Sequence, residues 1–166
     1  MTQLKIKIWP DPALRIVADP VSDFGPDFQK MVDDMAETMY AAKGAGLAAT
    51  QVGIPLRVFV MDVTDDGSRL EVLVNHQVLT TSDKKILTKG EGCLSFPGIW
   101  EPIARFEWVK GTALDREGTP FAFDYQGLAA QCVQHEGEHL DGKVMLDHFS
   151  RQKRRFIERE MGKLKR

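Results

Sequence analysis

The sequence predicts an α+β fold: mostly antiparallel strands around a central helix, with a second helix in the N-terminal half and a third at the C-terminus. Two observations carry this expectation. Helical spacing of apolar residues is confined to three stretches, 26–43, 127–140 and 151–166. Between the first two lie six short runs, β-branched or alternating, punctuated by Gly and Asp as in "DDGS" and "DREG". At 166 residues the chain is expected to form a single domain, 1–166, with a core of its own and a basic C-terminal helix over 151–166.

Taken in order, "LKIKI" at 4–8 alternates like a short strand, and the "WPDPAL" that follows is rich in turn formers. From Pro26 to about Lys43, Phe28, Val32, Met35 and Met39 recur at spacings of three and four; Pro26 suits a first turn and Gly44 a stop. The methionines read as a core stripe. Strands are expected at 56–62, 70–75, 77–81, 84–89, 105–114 and 119–124. Gly127–Leu140 then returns to helical spacing, apolar at Leu128, Ala129, Cys132, Val133 and Leu140. The tail helix offers Phe156, Ile157, Met161 and Leu164 as a packing side.

Composition narrows the function classes. Hydrophobic residues make up 43% and charged ones 28%, ordinary for a globular protein. No run of about 18 apolar residues appears, and "MTQLKIKIWPDP" lacks the apolar core of a signal peptide, so no membrane role and a cytoplasmic location are expected. Cys93 and Cys132 would then stay reduced, which favours metal or catalytic roles over a disulfide. The net charge of −2 is unevenly spread. Residues 151–166 hold eight Lys/Arg against Glu158 and Glu160, a net of +6, leaving −8 for the other 150 residues. A tail of this sign suits an anionic partner such as nucleic acid, although a solvated amphipathic helix would look the same.

The densest chemistry lies at 134–140, "QHEGEHL". On a helix His135 and His139 share a face one turn apart and can aim an imidazole nitrogen each at one point. H-E-x-x-H is a zinc-peptidase signature in which the glutamate, here Glu136, serves as general base without being a ligand. A catalytic centre of this kind takes three protein ligands and keeps a fourth position open. His148 follows without the glycine-spaced third-histidine pattern, and His76 sits at a strand end; both read as incidental. Cys93, in "GEGCLSFPG", is the stronger candidate, because its glycine and proline flanks fix a turn and allow close backbone approach. Cys132, one turn before His135, reads as a pocket wall, with a fourth ligand closing a structural zinc site as the alternative. A third block, "GAGLAATQVG" at 44–53, places Gly44 and Gly46 to expose backbone groups to an extended ligand, and Gln51 as an amide donor.

Together "GAGLAATQ", "EGCLS" and "QHEGEHLDG", in this order, resemble the three motifs of bacterial peptide deformylase. The similarity continues through "LRIVADPV", "MVDDMAETMYAAKGAGLAATQVG" and "VKGTALDREG", covering nearly the whole chain. The resemblance implies hydrolysis of the N-formyl group of formyl-methionyl nascent peptides, releasing formate. It implies one divalent metal ion held by Cys93, His135 and His139, with Fe²⁺ as the native ion and Zn²⁺, Ni²⁺ or Co²⁺ able to occupy the same frame. It assigns Glu136 as the proton carrier, Gln51 and the Leu94 N–H as oxyanion donors, and Gly44, Ala45 and Gly46 with Gly92 to the peptide. Glu91, Leu128, Gln131 and Cys132, with Ala45, become candidate walls for the methionine side chain. Contact with the ribosome through the basic helix, and a monomer, are further expectations. A metal-dependent peptidase, a catalytically silent ribosome-associated module and a structural zinc protein are the competing readings.

The chain departs from the family pattern at a few positions. Glu138 stands where Asp is common and is expected to pair with Arg105. Gly137 replaces a larger apolar residue, at about 1 kcal/mol against Ala in mid-helix. Ala45 is smaller than the usual branched residue, and Trp100 stands where a polar residue is frequent. The last two bear on which residues after methionine are accepted.

Overall fold

The computed structural model describes residues 2–164. Along the chain run α1 (Pro26–Ala41), β1 (Gly46–Ala48), β2 (Val58–Met61), β3 (Glu71–Thr81), β4 (Lys85–Leu87), β5 (Glu91–Gly92) and β6 (Trp100–Glu101). They are followed by β7 (Ala104–Phe106), β8 (Trp108–Leu114), β9 (Pro120–Gln126), α2 (Gly127–Leu140) and α3 (Arg151–Lys163). Short 3-10 turns lie at Pro12–Arg15, Ala49–Val52 and Met145–His148.

The run "VFVM" is buried at all four positions of β2, so its place is inside a sheet covered on both faces. The main sheet has the order β1-β2-β3-β8-β9, antiparallel throughout. Two small ribbons, β4 with β7 and β5 with β6, complete the strands. α2 crosses one face, where Ala130, Val133 and Leu140 pack with Phe59, Leu73, Val109 and Phe123. On the other side, the predicted stripe of Phe28, Val32, Met35 and Met39 on α1 packs with Leu47, Val58, Val60 and Val74. A third cluster, Leu14, Phe96, Ile103, Met145, Ile157 and Met161, seats α3 beneath the loop that follows Cys93. Among the described residues, no helix is long and apolar enough to cross a membrane.

Several expectations change. Residues 4–8 form no strand. Their backbone bonds go singly to turns and side chains, Leu4 N to Thr38 Oγ1 at 2.8 Å and Lys7 N to Gln51 O at 2.7 Å, rather than to a ladder. The runs at 70–75 and 77–81 are one strand with an irregular register between Val74 and Gln77. Asn75 takes φ 51° there, and its amide bonds both Val21 N and Val21 O. The run at 105–114 is two strands, because the chain leaves the β4 ribbon at Glu107 and joins the main sheet. On α3, Ile157 and Met161 are buried, but Phe156 and Leu164 are 45% and 62% exposed. The helix needs only a one-residue-wide stripe against the third cluster. Lys165 and Arg166, the end of the expected helix, lie outside the described residues.

Candidate metal centre

α2 begins at Gly127, as the sequence predicts, with left-handed φ of 57° as the chain leaves β9. Its inner face carries His135, Glu136 and His139, all buried. The imidazole centroids are 5.0 Å apart, and the two Nε2 atoms approach to 3.3 Å. Cys93 follows directly on β5, in a turn closed by Phe96 N to Cys93 O at 2.9 Å, and its sulfur lies 3.3 Å from His139 Nε2. One donor atom from each of Cys93, His135 and His139 thus falls within 4.8 Å of the others. Cys132 does not join this group. Its thiol lies 3.7 Å from Ala45 O, and burial raises its pKa well above the ordinary value, keeping it protonated. Both cysteines are free.

A ring of charges holds the triad. Glu91 Oε1 accepts from His135 Nδ1 at 2.7 Å, which fixes the ring and leaves Nε2 facing the cluster. Arg105, buried on β7, donates Nη2 to Glu91 Oε1 at 2.6 Å, Nε to Oε2 at 3.1 Å, and Nη1 to Glu138 Oε1 at 2.7 Å. His148 Nε2 meets Glu138 at 2.9 Å. Burial would raise the pKa of Glu91, yet His135 and Arg105 bring it down to about 2, so it stays ionised. Burial likewise opposes charge on His135, but the Cys93 sulfur, Glu91 and Glu136 raise its pKa well above normal. The cage therefore favours positive charge where the three donors meet. His139 is pushed the other way, by burial first and then by His135, and is neutral. A soft sulfur with two imidazole nitrogens is a donor set for zinc, iron and their neighbours, so these residues fit a divalent cation.

Glu136 lies beside this centre. Burial, with the Glu91 charge adding to it and His135 opposing, lifts its pKa to about 7. Its Oε2 is buried without a partner among the described residues. β1 passes so close that a β-carbon on Gly46 would stand 2.6 Å from Glu136 Oε1 and 2.7 Å from Cys132 Sγ, which explains the glycine. In the turn after β1, Gln51 is buried and its amide has one orientation. Oε1 accepts from Ala48 N at 2.9 Å, so Nε2 must point at Ser95 Oγ (3.1 Å) and Cys93 Sγ (3.6 Å). Leu94 N–H has no protein partner among the described residues.

These groups open onto a cavity of about 520 Å³. All the predicted site residues line it except His139, which is buried. Glu91 reaches its wall, but both carboxylate oxygens are occupied by Arg105 and His135, so its part is to orient a histidine rather than to shape an apolar pocket. Sequence reasoning missed that role, and also Ser95, which holds Gln51. It set aside His148, which bonds Glu138, and His76, which is buried against Gly137. An acidic residue two places before Cys93, between two glycines, was the available signal for Glu91.

The family model for polypeptide deformylase matches residues 3–155. A peptide deformylase from Alkalilimnicola ehrlichii is 49% identical, over all of this chain and 93% of that protein. The crystal structure of a peptide deformylase from Legionella pneumophila superposes with a TM-score of 0.95 at 40% identity, covering 99% of this chain and 96% of that one. The peptide deformylase from Ehrlichia chaffeensis in complex with actinonin gives 0.95 at 35% identity, covering 100% and 99%. This chain belongs to the peptide deformylase family, the metal-dependent hydrolases that remove the formyl group from the N-terminal formyl-methionine of newly made polypeptides.

Proposed function

We propose that this chain deformylates nascent peptides with Cys93, His135 and His139 holding one divalent ion, Fe²⁺ natively, and Glu136 carrying the proton. The observation that carries the assignment is the convergence of one sulfur and two imidazole nitrogens beside a buried carboxylate with a free oxygen. Zn²⁺, Ni²⁺ or Co²⁺ would suit the same donors. A cation held by Cys93, His135 and His139 would supply Lewis acidity to the hydrolysis.

The protein's own groups do the rest. Glu136, with a pKa near neutrality, takes the proton from water as the formyl carbon is attacked, and returns it to the departing amine. The C–N bond breaks, and formate and a free methionine amine leave. Gln51 Nε2 and the Leu94 N–H donate to the oxyanion; Ser95 and Ala48 hold the amide for that purpose. Gly44, Ala45, Gly46 and Gly92 offer backbone to the peptide, as in strand addition. Ala45, Leu128, Gln131 and Cys132 line the cavity where the methionine side chain would lie.

The exposed face of α3, with Arg151, Arg155 and Arg159 around a shallow depression, supports contact with ribosomal RNA. A cytoplasmic monomer completes the reading. The test is formate release from a formyl-Met peptide, with protein prepared without oxygen, since a thiolate and Fe²⁺ both oxidise. Glu136→Ala is expected to lower turnover by roughly 10²–10⁴-fold while the bound metal is unchanged. Full turnover in that variant would remove Glu136 from the mechanism. No turnover by metal-loaded wild-type protein would defeat the assignment.

A further inference from the structure

At the rim of the cavity, Trp100 is 69% exposed. It belongs to β6 and pairs with Gly92 of β5, directly before the Cys93 ligand. The indole is not loose. A β-carbon on Gly90 would stand 2.0 Å from its Nε1, and one on Gly92 would stand 2.7 Å from both Cε3 and Cζ3. The two glycines therefore form a floor on which the ring lies, and any side chain at either position would lift it. Gly90 also has φ of 153°, a conformation that other residues rarely adopt. An aromatic ring held flat, with one face on backbone and the rest open, is a preformed platform whose ordering cost is already met.

We propose that Trp100 is a specificity-determining residue, stacking an aromatic side chain within the two residues that follow the formyl-methionine. The proposal rests on the deformylase reading, since it needs the substrate to occupy this cavity. Continuity of the surface supports it: Trp100, Leu94, Pro97 and Ile99 line the same cavity as Cys93, His135 and Glu136. Gly92, given to the peptide backbone under the deformylase reading, pairs directly with Trp100, so a peptide with its formyl end at the triad that follows β5 passes this ring. Charge selects among the side chains an indole can take. Lys43 lines the same cavity and discourages a cationic partner, while Glu101 beside Trp100 is paired with Lys153 at 2.6 Å. An aromatic ring offers stacking without a charge to pair.

The experiment compares kcat/KM for formyl-Met-Ala-Ala, formyl-Met-Phe-Ala and formyl-Met-Ala-Phe in the metal-loaded wild-type protein, W100A and W100F. Phenylalanine at one of the two positions is expected to raise kcat/KM about threefold to tenfold in the wild type, through KM rather than kcat. Each ratio is taken within one protein, so a general change in activity cancels. In W100A the ratio should collapse towards one, and W100F should restore much of it. An aromatic preference that survives W100A, or none in the wild type, would overturn the proposal. Absence of formate from all three peptides with the wild type would instead overturn the deformylase assignment, and this inference with it.

Discussion

In mid-helix an alanine is ordinarily favoured over glycine by about 1 kcal/mol, and at Gly137 that preference is expected to reverse. A β-carbon there would stand 2.7 Å from His76 Nε2. The imidazole is buried and packed edge-on against Phe59, with centroids 5.1 Å apart, so it has little room to give. Gly137→Ala should therefore cost about 1–3 kcal/mol. In a His76→Ala background the same change should be neutral or stabilising. Urea midpoints of the four proteins measure the coupling, and an equal cost in both backgrounds would sink the argument. His76 also sets a pH window. Burial, reinforced by Arg57 and opposed by Asp141, lowers its pKa to about 4, against roughly 6.5 in an unfolded chain. Between those values the unfolded chain binds a proton that the folded one refuses. The contribution is complete above about pH 6.5 and is lost as pH falls towards 4, on the order of 3 kcal/mol in all. A His76→Gln protein should lose less stability than the wild type over that window; parallel curves would refute the point.

Arg105 on β7 joins β5 to α2 by holding Glu91 and Glu138 at once, so the metal site depends on three elements meeting. Glu91→Gln keeps the shape but weakens the bond that orients His135, and is expected to reduce metal affinity roughly 10- to 100-fold. Competition with a chelator reads this directly, without recourse to turnover; unchanged affinity would make Glu91 a passive wall. At this scale the sequence was most informative where a pattern ran over several turns. α2 has the bounds that its apolar spacing and Gly127 predict, and His135 and His139 fall on one buried face. β1, β5 and β6, of two or three residues, carry too few positions for a period, although β1 and β5 deliver Gly46, Glu91 and Gly92 to the site. Residues 4–8 show the opposite failure: alternation was present, but their backbone donors go to Thr38 and Gln51 rather than into a ladder. His76 and His148 were passed over because their partners, Gly137 and Glu138, are 61 and ten residues away and only tertiary packing brings them together.

Across the whole molecule, α3 has two separable faces. Ile157 and Met161 are buried with Leu14, Phe96 and Met145, in the cluster that also takes in Cys93. The outer face carries Arg151, Arg155 and Arg159, all exposed. Removing residues 151–166 would therefore strip a hydrophobic wall from beneath the Cys93 loop as well as deleting charge. A loss of ribosome binding in such a truncation would not identify its cause. Replacing Arg151, Arg155 and Arg159 with Gln removes three positive charges and leaves the buried face intact. If this surface meets RNA phosphates, the triple variant should bind ribosomes more weakly at low salt, and its log–log salt dependence should be shallower, by roughly 0.7–0.9 for each phosphate that is no longer neutralised. Equilibrium sedimentation with ribosomes at a series of salt concentrations gives both quantities. Binding that falls with an unchanged salt slope would point to weakened packing rather than to fewer neutralised phosphates. Binding that does not fall at all would move the docking surface off α3.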